Sequence, residues 1–410
     1  MFSIKIASPI AFTIALAINA SQASDIVNIS PLPEGADNTA ALQAVLVPGN
    51  EVHATGTFRV DGTLRLPSHV ALILNGVMQG KHQKYMIANN GKISGIRMRG
   101  GVYRGDGDTG IRLIEFSNTT GSTFSDFVVE NTGHTFGFNA GCSGNTCSNL
   151  VVRKTAAGRG SLNGLADRGS NNKWTDCSVD GTESDAFIVK CSDSTFTRVK
   201  LTNGKTTGFG FYARIDGSNN QGADLHGNRI YDCCVSNCAH AAFSLNAPGN
   251  GVGARIHDNF IQGVVSRNTA MVTGSSGGLY FGNKSAGGRV ENNTFDLLAF
   301  DNTGSGVTIN EGCTNNSGSV VVMGNVPWDV HNAVKGNTIT AYVPLNAPKP
   351  RISGSGVRVV SFDPDNPPAN SPYCVLKYSA MKSAGKSVKN SMAKSCHCGL
   401  AYNINHYCPV

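Results

Sequence analysis

The chain of 410 residues carries a formal net charge of +7 at pH 7, contains 49 glycines, and has 15% charged and 7% aromatic residues. This composition fits an all-β protein with many short strands and turns better than a helical one. The positive charge suits an anionic polymer, but there is no recognition-helix motif or aromatic stacking platform for nucleic acid. No later apolar run approaches the roughly 20 residues of a transmembrane helix. We therefore expect a soluble monomer with neither a nucleic acid nor a membrane as partner.

The N-terminus has the layout of a cleavable secretory signal. Lys5 precedes an apolar stretch over residues 6–18, and small residues follow up to Ala23. The apolar part is too short to span a bilayer. We therefore exclude residues 1–23 from the fold and expect a secreted protein, or a periplasmic one if the source is bacterial.

The 12 cysteines of an exported chain indicate disulfides, because thiols oxidise outside the cytosol. Cys142 and Cys147 could close a short loop. The alternative is a zinc site formed by the C-terminal group Cys396, His397, Cys398 and Cys408. Ligands one residue apart are poorly spaced for tetrahedral coordination, which favours disulfides.

The first predicted element is a helix over residues 36–46, with Asp37 or Asn38 as its cap and Leu42 on its apolar face. Strand composition begins at Val52 and continues as a loose repeat of apolar-x-apolar followed by a polar residue or glycine. Copies occupy residues 136–139, 164–167, 187–190, 209–212, 243–246, 279–282 and 307–310. Their spacing of roughly 22 to 36 residues is typical of a solenoid. A β-sandwich also uses short strands, but it gives no reason for this recurring unit.

The segment after residue 35 resembles the N-terminal part of the pectate-lyase-like superfamily. The resemblance is carried by residues 37–43 (DNTAALQ), 56–60 (GTFRV) and 63–67 (TLRLP). It implies an all-β fold, a single-stranded right-handed parallel β-helix with an N-terminal capping helix, over residues 24–345. The proline-rich connection and Cys/Lys-rich segment at 346–410 would be a C-terminal cap or a basic appendage. Lyases, hydrolases, epimerases and phage tailspikes all share this fold, so the reaction has to be argued from the site.

Alternate residues of solenoid strands point outward and form ladders across neighbouring coils. This alternation places outward Asp167, Arg168, Lys190, Tyr212 and Arg214, flanked by Asn139 and Asn246. Such a set suits β-elimination on a uronic acid, where cations neutralise the carboxylate while a base removes the adjacent proton. We predict Lys190, Arg214 and Tyr212 as catalytic residues and the other four as substrate-binding ones. The plainer alternative is a set of solvated surface charges.

The run Glu183-Ser-Asp185, followed by Lys190, is similar to a motif of the family that includes chondroitinase B and several alginate lyases. The resemblance implies that Glu183 and Asp185 bind Ca²⁺, that Lys190 is the base and that Arg214 is its partner. Oxygen ligands of this kind suit calcium. The chain has Ile215 after Arg214, where that family has histidine.

The prediction is thus an exported enzyme that cleaves an anionic, uronate-containing polysaccharide by β-elimination. One alternative is a glycosidase like the polygalacturonases, whose paired carboxylates would come from Asp167, Glu183, Asp185, Asp216 and Asp224. The characteristic motifs of that family are absent. Another alternative is a solenoid that binds glycans without catalysis. His226 and His257 are expected to be turn or surface histidines.

Overall fold

The computed structural model describes residues 2–3, 25–80, 85–107, 112–153, 163–213, 224–247, 253–268, 276–282, 288–325, 328–345, 347–363, 368 and 371–372. The predicted signal segment lies outside these residues, apart from positions 2 and 3. Arg214 and the cluster from Cys396 to Cys408 lie outside them as well. None of the helices in the described part is long and apolar enough to cross a membrane.

The described strands wind into a right-handed parallel β-helix, so the predicted fold class is confirmed. Sheet I has 12 short strands and sheet II has 20, while sheet III has four and a fourth sheet has two. Sheet I consists of Leu64–Leu66, Tyr85–Asn89, Arg112–Phe116, His134–Phe138, Leu165–Asp167, Phe187–Val189, Phe209–Tyr212, Phe243–Asn246, Ser276–Gly282, Ser305–Ile309, Val330–Asn332 and Ile352–Gly354.

The remaining strands form the other walls of the coil. Sheet II consists of Phe2–Ser3, Ile26–Ile29, Glu51–Val60, Ala71–Gly80, Arg97–Arg99, Val102–Arg104, Thr123–Ser125, Val128–Glu130, Thr146–Ser148, Val151–Arg153, Lys173–Thr175, Ser178–Thr182, Thr195–Thr197, Lys200–Gly204, Arg229–Ser236, Phe260–Ser266, Thr294–Phe300, Ser317–Met323, Thr338–Pro344 and Val357–Phe362. Sheet III consists of Asp224–His226, Arg255–His257, Arg289–Glu291 and Cys313–Thr314, and the fourth sheet of Ile93–Ser94 and Thr119–Thr120.

Apolar side chains stack from coil to coil inside the helix. Phe187, Phe209 and Phe243 pair in register on neighbouring strands of sheet I and are fully buried. Their ring centroids are 5.5 and 5.3 Å apart, with nearly parallel planes. Each buried aromatic contributes about 1.5 to 3 kcal/mol relative to an exposed one. The recurring apolar-x-apolar unit therefore forms the core, as the repeat predicted.

Buried asparagines form a ladder at one corner of the coils. Its members are Asn228, Asn259, Asn293, Asn316 and Asn337. The backbone N–H and the side-chain amide of Asn228 both donate to Oδ1 of Asn259, at 3.0 and 2.9 Å. Because each amide is paired in this way, polar groups can be buried without an unsatisfied donor. The ladder fixes the register of successive coils.

The predicted N-terminal helix is present as Thr39–Val45, shorter than residues 36–46. Leu42 is fully buried in the core. Asn38 is the N-cap residue but makes no side-chain capping bond. Oδ1 of Asp37 instead accepts the backbone N–H of Thr39 at 2.9 Å. The proposed capping by Asp37 is thus made one residue further out than a standard N-cap.

The β-helix extends beyond the predicted boundary at residue 345. Ile352–Gly354 pairs with Val330–Asn332 in sheet I, and Val357–Phe362 pairs with Thr338–Pro344 in sheet II. Both pairings are parallel and continue the coil. The prolines of this region therefore interrupt the chain between strands without ending the solenoid.

Seven described cysteines carry free, buried thiols: Cys142, Cys147, Cys177, Cys191, Cys233, Cys238 and Cys313. The predicted bridge between Cys142 and Cys147 is therefore wrong. These thiols pack in the core as small apolar groups, which is the usual place of a cysteine that is not bridged. Burial raises the pKa of Cys142 to about 11, so this thiol resists ionisation.

Candidate active site on the outer face of sheet I

A row of polar side chains crosses the outer face of sheet I. The row comprises Asn139, Arg168, Lys190, Tyr212 and Asn246, each partly exposed. Lys190 and Tyr212 follow Val189 and Phe211, which pair directly, and Tyr212 pairs with Asn246. Neighbouring strands of a sheet lie about 4.8 Å apart. The five residues therefore lie side by side, as the alternation predicted, while their roles stay predictions.

The orientation predicted for Asp167 is wrong, because its side chain points into the core. Asp167 is 0% exposed. Its Oδ1 accepts the backbone N–H of Gly169 and Nδ2 of Asn172, both at 2.9 Å, and its Oδ2 accepts Nε1 of Trp174 at 2.9 Å. Burial raises the pKa of the Asp167 carboxyl, while these hydrogen bonds act in the opposite direction. A residue so placed cannot touch a polysaccharide, and its role is structural.

Asp185 lies just before the strand Phe187–Val189, under the side chain of Tyr212. Its Oδ1 accepts three hydrogen bonds, from Oγ1 of Thr206 at 2.8 Å, the backbone N–H of Thr207 at 3.2 Å and the hydroxyl of Tyr212 at 3.2 Å. None of these three reaches Oδ2. The Tyr212 ring lies over Gly210, where a Cβ atom would be only 2.4 Å from the ring. Glycine at position 210 is thus what lets the tyrosine fold back onto Asp185.

This arrangement perturbs both ionisable groups. Asp185 is 8% exposed. Its burial raises the pKa of the carboxyl, and the bonds from Thr206, Thr207 and Tyr212 offset this only in part. Burial also raises the pKa of Tyr212, and the nearby Asp185 charge adds to the effect. Burial favours the uncharged forms of both residues, so Tyr212 acts as a hydrogen-bond donor in this pair.

The carboxyl groups of Glu183 and Asp185 contact different partners. Oε2 of Glu183 forms a salt bridge with Nζ of Lys205 at 2.7 Å, and the Oδ1 atom of Asp185 is surrounded by donors. Calcium requires six to eight oxygen ligands. The ammonium group of Lys205 offers no oxygen, and the groups around Oδ1 of Asp185 donate hydrogen bonds to it. These contacts do not fit the predicted calcium pair.

Next to the row lies a small pocket that the sequence prediction missed. Glu115, Gly137, Asn139, Ala166 and Arg168 are among its lining residues. Nδ2 of Asn139 donates to Oε1 of Glu115, and Oδ1 of Asn139 accepts Nη1 of Arg168 at 3.1 Å. Gly137 and Ala166 form the small, apolar part of the pocket lining between these polar groups. The sequence contains one signal for this pocket. Glu115 is the single acidic residue within the apolar run at 113–116, and alternation places its side chain outward.

Comparison with known proteins gives structural likeness without sequence likeness. No protein family matches the sequence, and no curated protein matches it. The catalytic unit of a thermostable GH87 α-1,3-glucanase from Streptomyces thermodiastaticus strain HF3-3 is similar with a TM-score of 0.57 and 15% identity, over 80% of this chain and 66% of that chain. The tailspike protein of E. coli bacteriophage HK620 in complex with a pentasaccharide is similar with a TM-score of 0.51 and 10% identity, over 80% of this chain and 64% of that chain.

These likenesses establish the fold class. Both solved structures are right-handed parallel β-helix proteins, and the chain shares that architecture. The chain spans less than two thirds of either protein, 66% of the glucanase unit and 64% of the tailspike. At such identities the likeness concerns the backbone, so the site has to be interpreted from its own residues.

Proposed function

We propose that the protein is a carbohydrate-active enzyme that hydrolyses a polysaccharide lying across the coils of sheet I, with Asp185 as the general acid. The protonated Oδ2 of Asp185 would give its proton to the leaving glycosidic oxygen as the C–O bond breaks. Water would supply the hydroxyl group that replaces the leaving oxygen on the sugar carbon. The named activity of the glucanase and the pentasaccharide bound by the tailspike support a glycan as the substrate.

The observation that carries this proposal is the asymmetry of the Asp185 carboxyl. A general acid has to keep its proton near the working pH, and burial raises the pKa of Asp185 in the required direction. Oδ1 is held by the donors of Thr206, Thr207 and Tyr212, which leaves Oδ2 as the oxygen that can carry the proton. The carboxyl is thus oriented, and its burial favours the uncharged form.

Hydrolysis by paired carboxyl groups also needs a carboxylate partner. Glu183 is our candidate, because it lies two residues before Asp185 and forms a salt bridge with Lys205 at 2.7 Å. It would act as the base that activates water or as the nucleophile. The separation of the two carboxyl groups in a substrate complex would decide between these two roles.

The rest of the row supports an acidic glycan as the preferred substrate. Arg168 and Lys190 are neighbours on the outer face, and Asn139 and Asn246 flank them with amide groups. Guanidinium and ammonium groups bind carboxylates, while amides bind hydroxyls. We further propose that the enzyme acts outside the cytosol, since the predicted signal segment would direct export.

β-Elimination is the second candidate, favoured by the juxtaposition of Lys190 and Arg168. Lys190 would remove the proton next to a uronate carboxylate that Arg168 neutralises. Tyr212 is poorly suited to be the base of that reaction, because its raised pKa opposes the phenolate. This weakens the three-residue assignment of Lys190, Tyr212 and Arg214, and hydrolysis is the better supported reaction.

The product of the reaction separates the two candidates. We expect the purified protein to release new reducing ends from at least one member of a panel of pectate, alginate, glucuronan, chondroitin and neutral glucans. Hydrolysis gives no ultraviolet absorbance from an unsaturated uronate, whereas β-elimination gives that absorbance in proportion to the cleaved bonds. Absorbance in that proportion would overturn hydrolysis, and binding without any cleavage would overturn catalysis.

A further inference from the structure

Sheet III brings two histidines and an aspartate together on its surface. The parallel pairing sets Asp224 opposite Arg255 and His226 opposite His257. The two imidazole rings stack with their centroids 5.2 Å apart and an angle of 17° between their planes. Asp224 and His226 are two residues apart on one strand, so their side chains leave the same face.

The ligand atoms of these three residues converge on one point. Oδ1 of Asp224 lies 2.8 Å from Nε2 of His257 and 3.7 Å from Nδ1 of His226. All three atoms lie within 4.8 Å of one another, the one such grouping of histidine, cysteine or acidic residues in the part of the chain that the structure describes. Ligands of a tetrahedral zinc ion are about 3.3 Å apart, given bonds of about 2.0 to 2.1 Å. The 2.8 and 3.7 Å distances lie on either side of that value.

The second nitrogen of each ring also faces a carboxylate. Nδ1 of His257 is 2.6 Å from Oδ2 of Asp258, and Nε2 of His226 is 3.7 Å from Oδ2 of Asp193. The Asp258 carboxylate is within hydrogen-bond distance, and in this position it orients a metal-binding imidazole and raises its basicity, whereas the Asp193 contact is longer. Arg255, which pairs with Asp224 across the two strands, is engaged elsewhere, since its Nη2 donates to Glu291 at 2.7 Å.

We infer that Asp224, His226 and His257 bind a transition-metal ion, with Zn²⁺ as the natural occupant. Imidazole nitrogen with carboxylate oxygen suits zinc, whereas calcium takes oxygen ligands. The side chains of Asp224 and His226 are 50% and 39% exposed, so an ion can enter and water can complete its shell. Since His226 and His257 belong to successive coils, the ion would hold those coils together. This site uses none of the residues proposed for glycan cleavage.

The test is a calorimetric titration of chelator-treated full-length protein with ZnCl₂. We expect one ion to bind through these residues. His226→Ala and His257→Ala should each weaken that binding by more than about 100-fold, because the loss of an outer-shell partner alone costs about 10- to 100-fold. His53→Ala is the matched control, because His53 is a partly exposed histidine paired with Glu51 at 2.8 Å on sheet II. Zinc should also raise the unfolding temperature of the wild type and of His53→Ala, but not that of the double variant His226→Ala/His257→Ala.

A Co²⁺ titration identifies the ligands and guards against binding elsewhere. Nitrogen and oxygen ligands give visible bands without thiolate charge transfer, and circular dichroism establishes that each variant is folded. No zinc binding by the wild type would overturn the inference. Equal affinity in the folded double variant, or thiolate bands that point to the cysteines at 396–408, would overturn it too.

Discussion

Asp185→Asn is expected to lower kcat on the cleaved glycan by a factor of about 10² to 10⁴, the usual contribution of a general acid. The substitution leaves an oxygen that can still accept the hydrogen bonds of Thr206, Thr207 and Tyr212. It removes the proton that the leaving oxygen requires. Because the shape of the side chain is kept, the loss should fall on kcat while substrate affinity changes little.

Asp180→Asn is the matched control for this substitution. Asp180 is exposed on sheet II, and its Oδ1 accepts Oγ1 of Thr202 at 2.9 Å and Nδ2 of Asn203 at 2.6 Å. The same chemical change at this position should leave the protein folded, because surface substitutions alter stability by only about 0.5 kcal/mol. We expect kcat to stay within a factor of about two. Full activity in a folded Asp185→Asn protein would remove Asp185 from the mechanism.

Asp167→Ala is expected to destabilise the β-helix by at least about 3 kcal/mol, measured by chemical denaturation. The substitution leaves three donors without their acceptor: the part-buried backbone N–H of Gly169, and the buried amide of Asn172 and indole of Trp174. Each unsatisfied donor costs about 1 to 3 kcal/mol, and the loss of side-chain volume adds a cavity.

The control for Asp167→Ala is Asp180→Ala, at an exposed position of sheet II. Oδ1 of Asp180 accepts hydrogen bonds from Thr202 and Asn203. Surface substitutions of this kind change stability by about 0.5 kcal/mol. If the two variants lost the same small amount of stability, Asp167 would not be the structural residue that its burial indicates.

The fold was predictable from local pattern, whereas the direction of one side chain was not. The repeat of residues 187–190 and its copies needs only neighbouring coils to stack on, and Phe187, Phe209 and Phe243 form such a stack. Asp167 occupies the inward position that Phe138 and Val189 fill on adjacent coils. The sequence predicts an outward Asp167, because charged side chains usually face water. The donors that reverse this choice, Asn172 and Trp174, come from the turn and strand that follow.

The candidate site was predictable as a row but not as a chemical arrangement. Alternation places Arg168, Lys190 and Tyr212 on one face without any knowledge of distances. The contact between Tyr212 and Asp185 depends on the register of two coils and on the missing side chain of Gly210. The resemblance of residues 183–190 to a lyase motif instead predicts Asp185 as a calcium ligand. A motif spacing of this length carries little information about which atoms meet.

The pairing of His226 with His257 was likewise invisible in the sequence. The two residues lie one full coil apart along the chain and share no motif. Their adjacency follows from the parallel register of sheet III, which links residues 224–226 to 255–257. Sites built from one residue per coil become recognisable only when the length of each coil is known.

The pH dependence of kcat/KM is the most direct test of a neutral Asp185 acting as the acid. A group that must be protonated supports activity below its pKa, and activity falls as the pH rises through that pKa. Because burial raises the pKa of Asp185, the descending limb should lie above the ordinary aspartate value of about 3.9. That limb should vanish from the residual activity of Asp185→Asn. A rate that rises through this range, or the same limb in both proteins, would contradict the account.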